Sequence, residues 1–278
     1  MTEIIENGLQ LQPTKYRVST ITCNASITTT INLVELFENL TLGDDVGFIW
    51  TMMWIDNGIR KRGVYPKKKK TSAHPKEKKC FDNQITVIYK YATDYYPNIK
   101  IFRNGNIQMT GIRTEEDGKN IVNIITAELL SITNKLCPTL VGKETDIKNK
   151  DFLIRMINCD FGVPFKIRRK NLHQLLISNK YGNTCSFQPL TYPGVKLQYF
   201  WNINQSSKNG ICKCSLPCYG KGTGNGDGNC KKVTIATFES GKILITGANS
   251  FDQVNEAYQF ICNVIMTNQT DLKKTFGA

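Results

Sequence analysis

Four cysteines in this chain are spaced so that they could act together: Cys212-x-Cys214-x3-Cys218-x11-Cys230. Four thiolates can hold a zinc ion tetrahedrally, and such a site would pin the Gly/Asn-rich segment that carries them. The spacing is irregular and lacks paired C-x2-C knuckles, so reduced loop cysteines are the competing reading. No cofactor is required by anything else in the sequence. Gly220-Lys221-Gly222-Thr223-Gly224 lacks the G-x4-G-K-[S/T] frame and a preceding buried strand, and is not a phosphate loop. His74 and His173 are the only histidines, and neither has a visible nucleophile or carboxylate partner. No catalytic residues, no small-molecule substrate and no enzymatic activity are expected.

The other cysteines, Cys23, Cys80, Cys137, Cys159, Cys185 and Cys262, are scattered. Residues 1–13 are polar with early acids, lack the pattern of a secretory signal, and read as a tail. Free thiols behaving as small apolar groups are therefore expected in preference to a disulfide framework. No run of about 18 apolar residues appears, so no membrane partner is expected. The formal net charge of +13 points to acidic partners. Its excess sits in one stretch, residues 60–79, which holds Arg60, Lys61, Arg62, Lys67, Lys68, Lys69, Lys70, Lys76, Lys78 and Lys79 against the single acid Glu77. The stretch reads as a solvated loop able to touch phosphates.

These groups must be positioned by regular elements, and the elements come twice. Phe102-Arg103-Asn104-Gly105-Asn106-Ile107-Gln108-Met109-Thr110-Gly111 is echoed 136 positions later by Phe238-Glu239-Ser240-Gly241-Lys242-Ile243-Leu244-Ile245-Thr246-Gly247. Each copy predicts a hairpin turn and a strand ahead of a long helix, which indicates internal duplication. The first unit reads as a strand at 16–22, a short helix at 31–40, an inserted strand at 48–55, strands at 84–91, 99–103 and 106–111, and a helix at 114–133. Thr114-Glu115-Glu116-Asp117 resembles a capping box. The second unit reads as strands at 152–159, 193–202, 232–238 and 242–247, with helices at 168–177 and 251–267. Domain bounds follow: tail 1–13, first repeat 14–134 with an insertion at about 43–82, linker 135–150, second repeat 151–268 with an insertion at about 203–229, and tail 269–278. Alternation puts Ile107, Met109, Ile243 and Ile245 against the helices and Gln108, Thr110, Lys242, Leu244 and Thr246 on the other face. That face carries apolar and hydroxyl groups with few acids. Trp50 and Trp54 read as core of the inserted segment.

The order of elements, the doubled Phe-x-polar-Gly frame, Tyr192-Pro193-Gly194-Val195-Lys196-Leu197, and Phe152-Leu153-Ile154-Arg155 leading to Phe165-Lys166-Ile167-Arg168 resemble a TATA-box-binding protein core. The long insertions and Cys80-Phe81-Asp82 are similar to divergent members from large cytoplasmic DNA viruses. The resemblance implies an α+β, pseudo-twofold saddle: a curved antiparallel sheet of two repeats, with helices on the convex side and DNA beneath the concave side. Double-stranded DNA would be the ligand, bound in the minor groove and bent by apolar wedges that replace lost stacking. Further implied partners are a general transcription factor B-like protein and the RNA polymerase machinery. A virus factory in the cytoplasm or the virion is the implied location, or the nucleus for a cellular member.

Carried over position by position, the resemblance makes Phe102, Tyr192 and Phe238 wedges, with Phe81 nearest the fourth wedge position. Val18, Thr110, Leu244 and Thr246 form the floor, and Lys242 is a retained basic contact. The family's central Asn pair falls on Tyr16 and Met156, and Asn158, two positions from Met156, is its candidate substitute. Gln108 and Asn106 replace an apolar and a basic residue. The acidic stirrup of the family reads Gln188-Pro189-Leu190 here. These departures support a rival reading, a TATA-binding-like interaction scaffold with weak or no DNA binding.

Overall fold

The computed structural model describes residues 12–27, 29–66, 83–142 and 149–274. The chain divides into two compact units, the first Thr20–Arg155 and the second formed by residues up to Ser19 together with Met156 onward. Among the described residues the elements are β1 (Arg17–Ile27), α1 (Leu33–Asn39), β2 (Gly47–Ile55), β3 (Gly58–Gly63), β4 (Gln84–Lys90), β5 (Asn98–Phe102), β6 (Asn106–Ile112) and α2 (Glu115–Lys135). They continue as β7 (Asn149–Gly162), α3 (Arg169–Ile177), β8 (Thr184–Gln188), β9 (Tyr192–Trp201), β10 (Lys231–Thr237), β11 (Lys242–Ala248), α4 (Phe251–Thr267) and α5 (Gln269–Leu272).

In the first unit the strands run in the order β3-β2-β4-β5-β6-β1, with antiparallel neighbours. Ile21, Cys23, Ile107 and Met109 are buried on the side taken by the helices. Ile121, Val122, Ile125, Leu129 and Ile132 face them from α2, at the three-and-four spacing of an amphipathic helix. A capping box starts α2: Asp117 N–H donates to the Thr114 hydroxyl, and Thr114 N–H donates to the Asp117 carboxylate. In the second unit the order is β7-β11-β10-β9-β8, again antiparallel. The buried face of α4, Val254, Ala257, Ile261, Val264 and Ile265, sits over Ile235, Ile243 and Ile245. Each unit is thus an antiparallel sheet with helices packed on one side, the α+β arrangement the resemblance implies.

The spacing of 136 recurs in the backbone of the two units. Ile27 N–H donates to Gly105 O and Val163 N–H to Gly241 O. Ile31 N–H donates to Arg103 O and Ile167 N–H to Glu239 O. Gly105 and Gly241 both need glycine, with φ of +81° and +85°. A Cβ would stand 2.3 Å from Ile27 O in one and 2.5 Å from Phe165 O in the other.

Several expectations are revised. The segment 48–55 is not an extra strand: β2 follows α1 and pairs with β4 as β8 follows α3 and pairs with β9. The added element is β3, which turns residues 58–63 of the expected loop into a hairpin strand on β2. Here Arg60 pairs with Glu38 at 3.0 Å, and Arg62 donates to the carbonyls of Phe37 and Leu40 at the end of α1. Those carbonyls have no partner inside the helix, which is why a guanidinium is held there. Strand β8 has no counterpart in the sequence reading. Trp50 is buried with Ile49, Met52 and Ile88 and meets the Tyr65 ring edge-on, whereas Trp54 is exposed. At the C-terminal side, α5 buries Leu272, and Lys273 bridges to Ile167. The remaining basic residues, Lys67 to Lys79, lie outside the described residues.

Candidate functional site

The side of each sheet away from the helices gathers the residues singled out in the sequence. In the second unit the register aligns Lys196, Ala236, Leu244 and Asp160 in one row across four strands, with Gln198, Thr234 and Thr246 in the next. The row between, Leu197, Ile235, Ile245 and Cys159, points to the helices, as does the row on the other side of Lys196, where Phe161 packs edge-on against Tyr258 of α4. Leu244 and Thr246 are half-buried and Lys242 is exposed.

At one end of this face Tyr192 and Phe238 meet, with ring centroids 5.8 Å apart. Both are half-buried. Gly194 lies beneath them: a Cβ there would stand 2.8 Å from the Tyr192 ring and 3.2 Å from the Phe238 ring. Lys196 completes the alternation, its ammonium 3.8 Å from the Tyr192 ring centroid. Behind the pair, Arg169 donates to Pro193 O at 2.5 Å and to Glu239 at 2.8 Å, and Lys274 holds the other Glu239 oxygen at 3.0 Å. This clamp ties the residue after Tyr192 to the residue after Phe238. The hydrogen bond and charge of Lys274, then those of Arg169, hold the Glu239 carboxyl below its ordinary range.

In the first unit the corresponding face carries Thr86, Lys100, Gln108 and Asn24 in one row and Asn98 and Thr110 in the next. Phe102 is half-buried opposite Gln84 and borders a groove of about 520 Å³ with Asn24, Ser26, Asn106, Gln108 and Arg155. Thr110 is exposed. Phe81 lies outside the described residues, so no wedge partner is placed beside Phe102.

Three findings change the carried-over reading. Tyr16 is turned toward α4, where its hydroxyl donates to Asn255 at 2.6 Å and its ring meets Tyr258. The residue 136 positions before Met156 is Thr20, whose hydroxyl accepts from Gly111 N–H at 3.0 Å. Val18 is half-buried beside Arg17, and Arg17 binds both oxygens of Asp160 at 3.1 and 3.0 Å. Asp160, buried on this face, also meets Lys242 at 3.6 Å, so the face is less free of acids than expected and Lys242 is already paired. Asn158 lies next to it with its Oδ1 buried and without a hydrogen-bond partner among the described residues.

Gly194, Lys196 and Lys100 escaped the sequence reading. The alternation Tyr192-x-Gly194-x-Lys196 was the available signal for the first two. Asp160 gave none, since one acid in an apolar strand does not announce its partners.

The β9–β10 connection brings the four candidate ligands together. The Sγ atoms of Cys212, Cys214, Cys218 and Cys230 all lie within 4.8 Å of one another. Cys214 and Cys230 are 3.4 Å apart, and Cys212 and Cys230 are 3.8 Å apart. The cluster could hold a metal ion. Outside this cluster, burial pushes the thiols of Cys23, Cys159 and Cys185 up to about 12.

Comparison with known proteins points to the family that the sequence motifs resemble. The family described as "Transcription factor TFIID (or TATA-binding protein, TBP)" matches residues 226–267. A "TATA-box-binding protein-like" protein of Acanthamoeba polyphaga mimivirus is 29% identical over 273 residues, covering 90% of this chain. The chain spans 64% of that relative's length. The solved Methanococcus jannaschii TBP is 13% identical with a TM-score of 0.47, covering 91% of this chain and 99% of that one.

Proposed function

From its resemblance to a divergent, virus-type TATA-binding protein, we propose that the chain is a non-enzymatic transcription initiation factor that binds double-stranded DNA in the minor groove and bends it. The observation that carries this reading is the half-buried Tyr192–Phe238 ring pair on a helix-free sheet face, above a glycine and beside a lysine. Phe102 occupies the matching turn of the other unit. Aromatic side chains without a full apolar cover can take the place of a base at an opened step, at a cost of a few kcal/mol in unstacking. Lys196 and Lys100 supply phosphate or groove-edge charge that fixes register without reading sequence. Val18, Thr110, Leu244, Thr246 and Asn158 would contact the groove floor, Lys242 its edge, and Phe81 would supply a fourth wedge. A transcription factor B-like protein and polymerase would then be recruited to the bent site. A virus factory or virion is the location this reading implies. No helix among the described residues is long and apolar enough to cross a membrane.

Replacing Phe102 and Phe238 together by Ala should abolish bending, read by energy transfer between dyes on the duplex ends. Unchanged bending in the double variant overturns the wedge assignment.

The scaffold reading draws on one specific observation. Arg17, Asp160 and Lys242 satisfy one another on the face that would meet DNA, and a buried carboxylate there repels phosphate. Salt dependence separates the two: a DNA binder loses affinity steeply with salt through counterion release, and a scaffold shows no such slope.

A further inference from the structure

We infer that Cys212, Cys214, Cys218 and Cys230 form a structural site for one thiophilic divalent cation, zinc, that fixes the long β9–β10 connection. The inference is independent of DNA binding. Zn–S bonds of about 2.3 Å in a tetrahedron put sulfurs about 3.8 Å apart. The Sγ separations of 3.4 and 3.8 Å, and the 4.8 Å limit for all four, are already close to that figure.

The backbone is arranged around sulfur acceptors. The N–H groups of Gly220 and Cys230 point at Cys218 Sγ, and that of Gly228 at Cys214 Sγ. Asp227 accepts from Ser215 and Leu216 N–H at 2.8 and 3.2 Å, closing the turn between Cys214 and Cys218. Asn202 donates to Gly226 O and reaches Cys230 Sγ at 3.6 Å. Between Asn202 and Cys230 no helix or strand forms, and so long an irregular segment inside a compact unit needs some other tie.

Charge supplies a second line of argument. Lys221 and Lys231 face each other across an isolated antiparallel bridge. The flanking bonds, Lys232 N–H to Gly220 O and Gly222 N–H to Cys230 O, make this the non-hydrogen-bonded type of pair, in which side chains approach most closely. Like charges directly opposite are destabilising. Lys213 stands between the first two cysteines, and Lys231 directly follows Cys230. A zinc ion with four thiolates carries a net double negative charge, which would offset the repulsion between Lys221 and Lys231.

The test uses the full chain, expressed with zinc in the medium, desalted and analysed for metal. One zinc per chain is expected, falling to none in Cys218→Ser and Cys230→Ser and unchanged in Cys185→Ser, which lies outside the cluster. Should a ligand variant fail to fold, the native chain stripped by chelator and refilled with cobalt still decides the matter, because a four-thiolate site gives intense tetrahedral ligand-field bands and thiolate-to-cobalt charge transfer. Zinc-free native protein with no such cobalt spectrum overturns the site. So does zinc retained in both ligand variants.

Discussion

Substituting Gly194 by Ala tests the wedge geometry without removing a wedge. The added methyl would stand 2.8 Å from the Tyr192 ring, and ordinary contact begins at 3.4 Å, so that ring must move by about 0.6 Å. Gly194 is not in the positive-φ region, so the backbone accepts Ala without strain. The fold should hardly notice: overpacking at a half-exposed ring is relieved by rotation, and Ala restricts the unfolded chain, a gain of roughly 0.4–1 kcal/mol that offsets it. DNA binding should notice. Stacking of one aromatic on a base contributes about 1–3 kcal/mol. A misfit of this size forfeits about a quarter to a half of the contact energy, hence roughly 0.3–1.5 kcal/mol or a two- to tenfold loss of affinity. Phe238→Ala should lose all of it, roughly 5- to 150-fold. Thermal melting paired with fluorescence titration of a labelled duplex reads both quantities. An unchanged affinity in Gly194→Ala refutes the claim that this ring pair enters the duplex. A large drop in melting temperature refutes the claim that the rings have room to yield.

Glu239→Gln should loosen the clamp behind the same pair. The Glu239 carboxyl is held below its ordinary range by Lys274 and Arg169, so its contribution to stability is complete above the unfolded-state value, about 4.3. It is lost as pH falls through the depressed folded-state value. The melting-temperature gap between wild type and variant should therefore narrow on acidification from pH 6, and a gap that widens contradicts the assignment. Deleting residues 67–79, while keeping Arg60 and Arg62 on α1, should flatten the salt dependence of DNA binding and leave sequence preference intact. The log–log slope should fall by about 0.9 for each phosphate those lysines neutralise. An unchanged slope would assign those lysines to a protein partner.

Much of the fold was legible because local and global signals agreed. The Phe102 and Phe238 frames name a turn that only glycine can make, and Gly105 and Gly241 make it against neighbours 136 positions apart, Ile27 and Thr29 in one and Val163 and Phe165 in the other. The capping box at Thr114 and the periodicity of α2 survive unchanged. The equivalence of β2 with β8 was hidden because both faces of β2 are apolar, which erases alternation, and because β8 is short and polar. The resemblance carried the Asn pair onto Tyr16 and Met156, whereas the hydrogen bonds of Ile27 and Val163 recur at a spacing of 136, which would pair Met156 with Thr20. Side-chain pairing was illegible throughout: nothing in Asp160 foretold Arg17, 143 residues away.

Strand β3 has a consequence for the behaviour of many copies together. Among the described residues it is the outermost strand of its unit, with no strand on its far edge. Such an edge is a template on which a second chain can add, the usual beginning of aggregation. Here that edge carries Arg60, Lys61 and Arg62 in succession, two of them locked in place by α1. An identical edge approaching it meets cations held rigidly against cations and is turned away. In the second unit the edge strand β8 offers five residues with an irregular register, too little to extend. The staple on α1 therefore also works against edge-to-edge pairing of identical copies, and the strand such an edge would still admit is an acidic one.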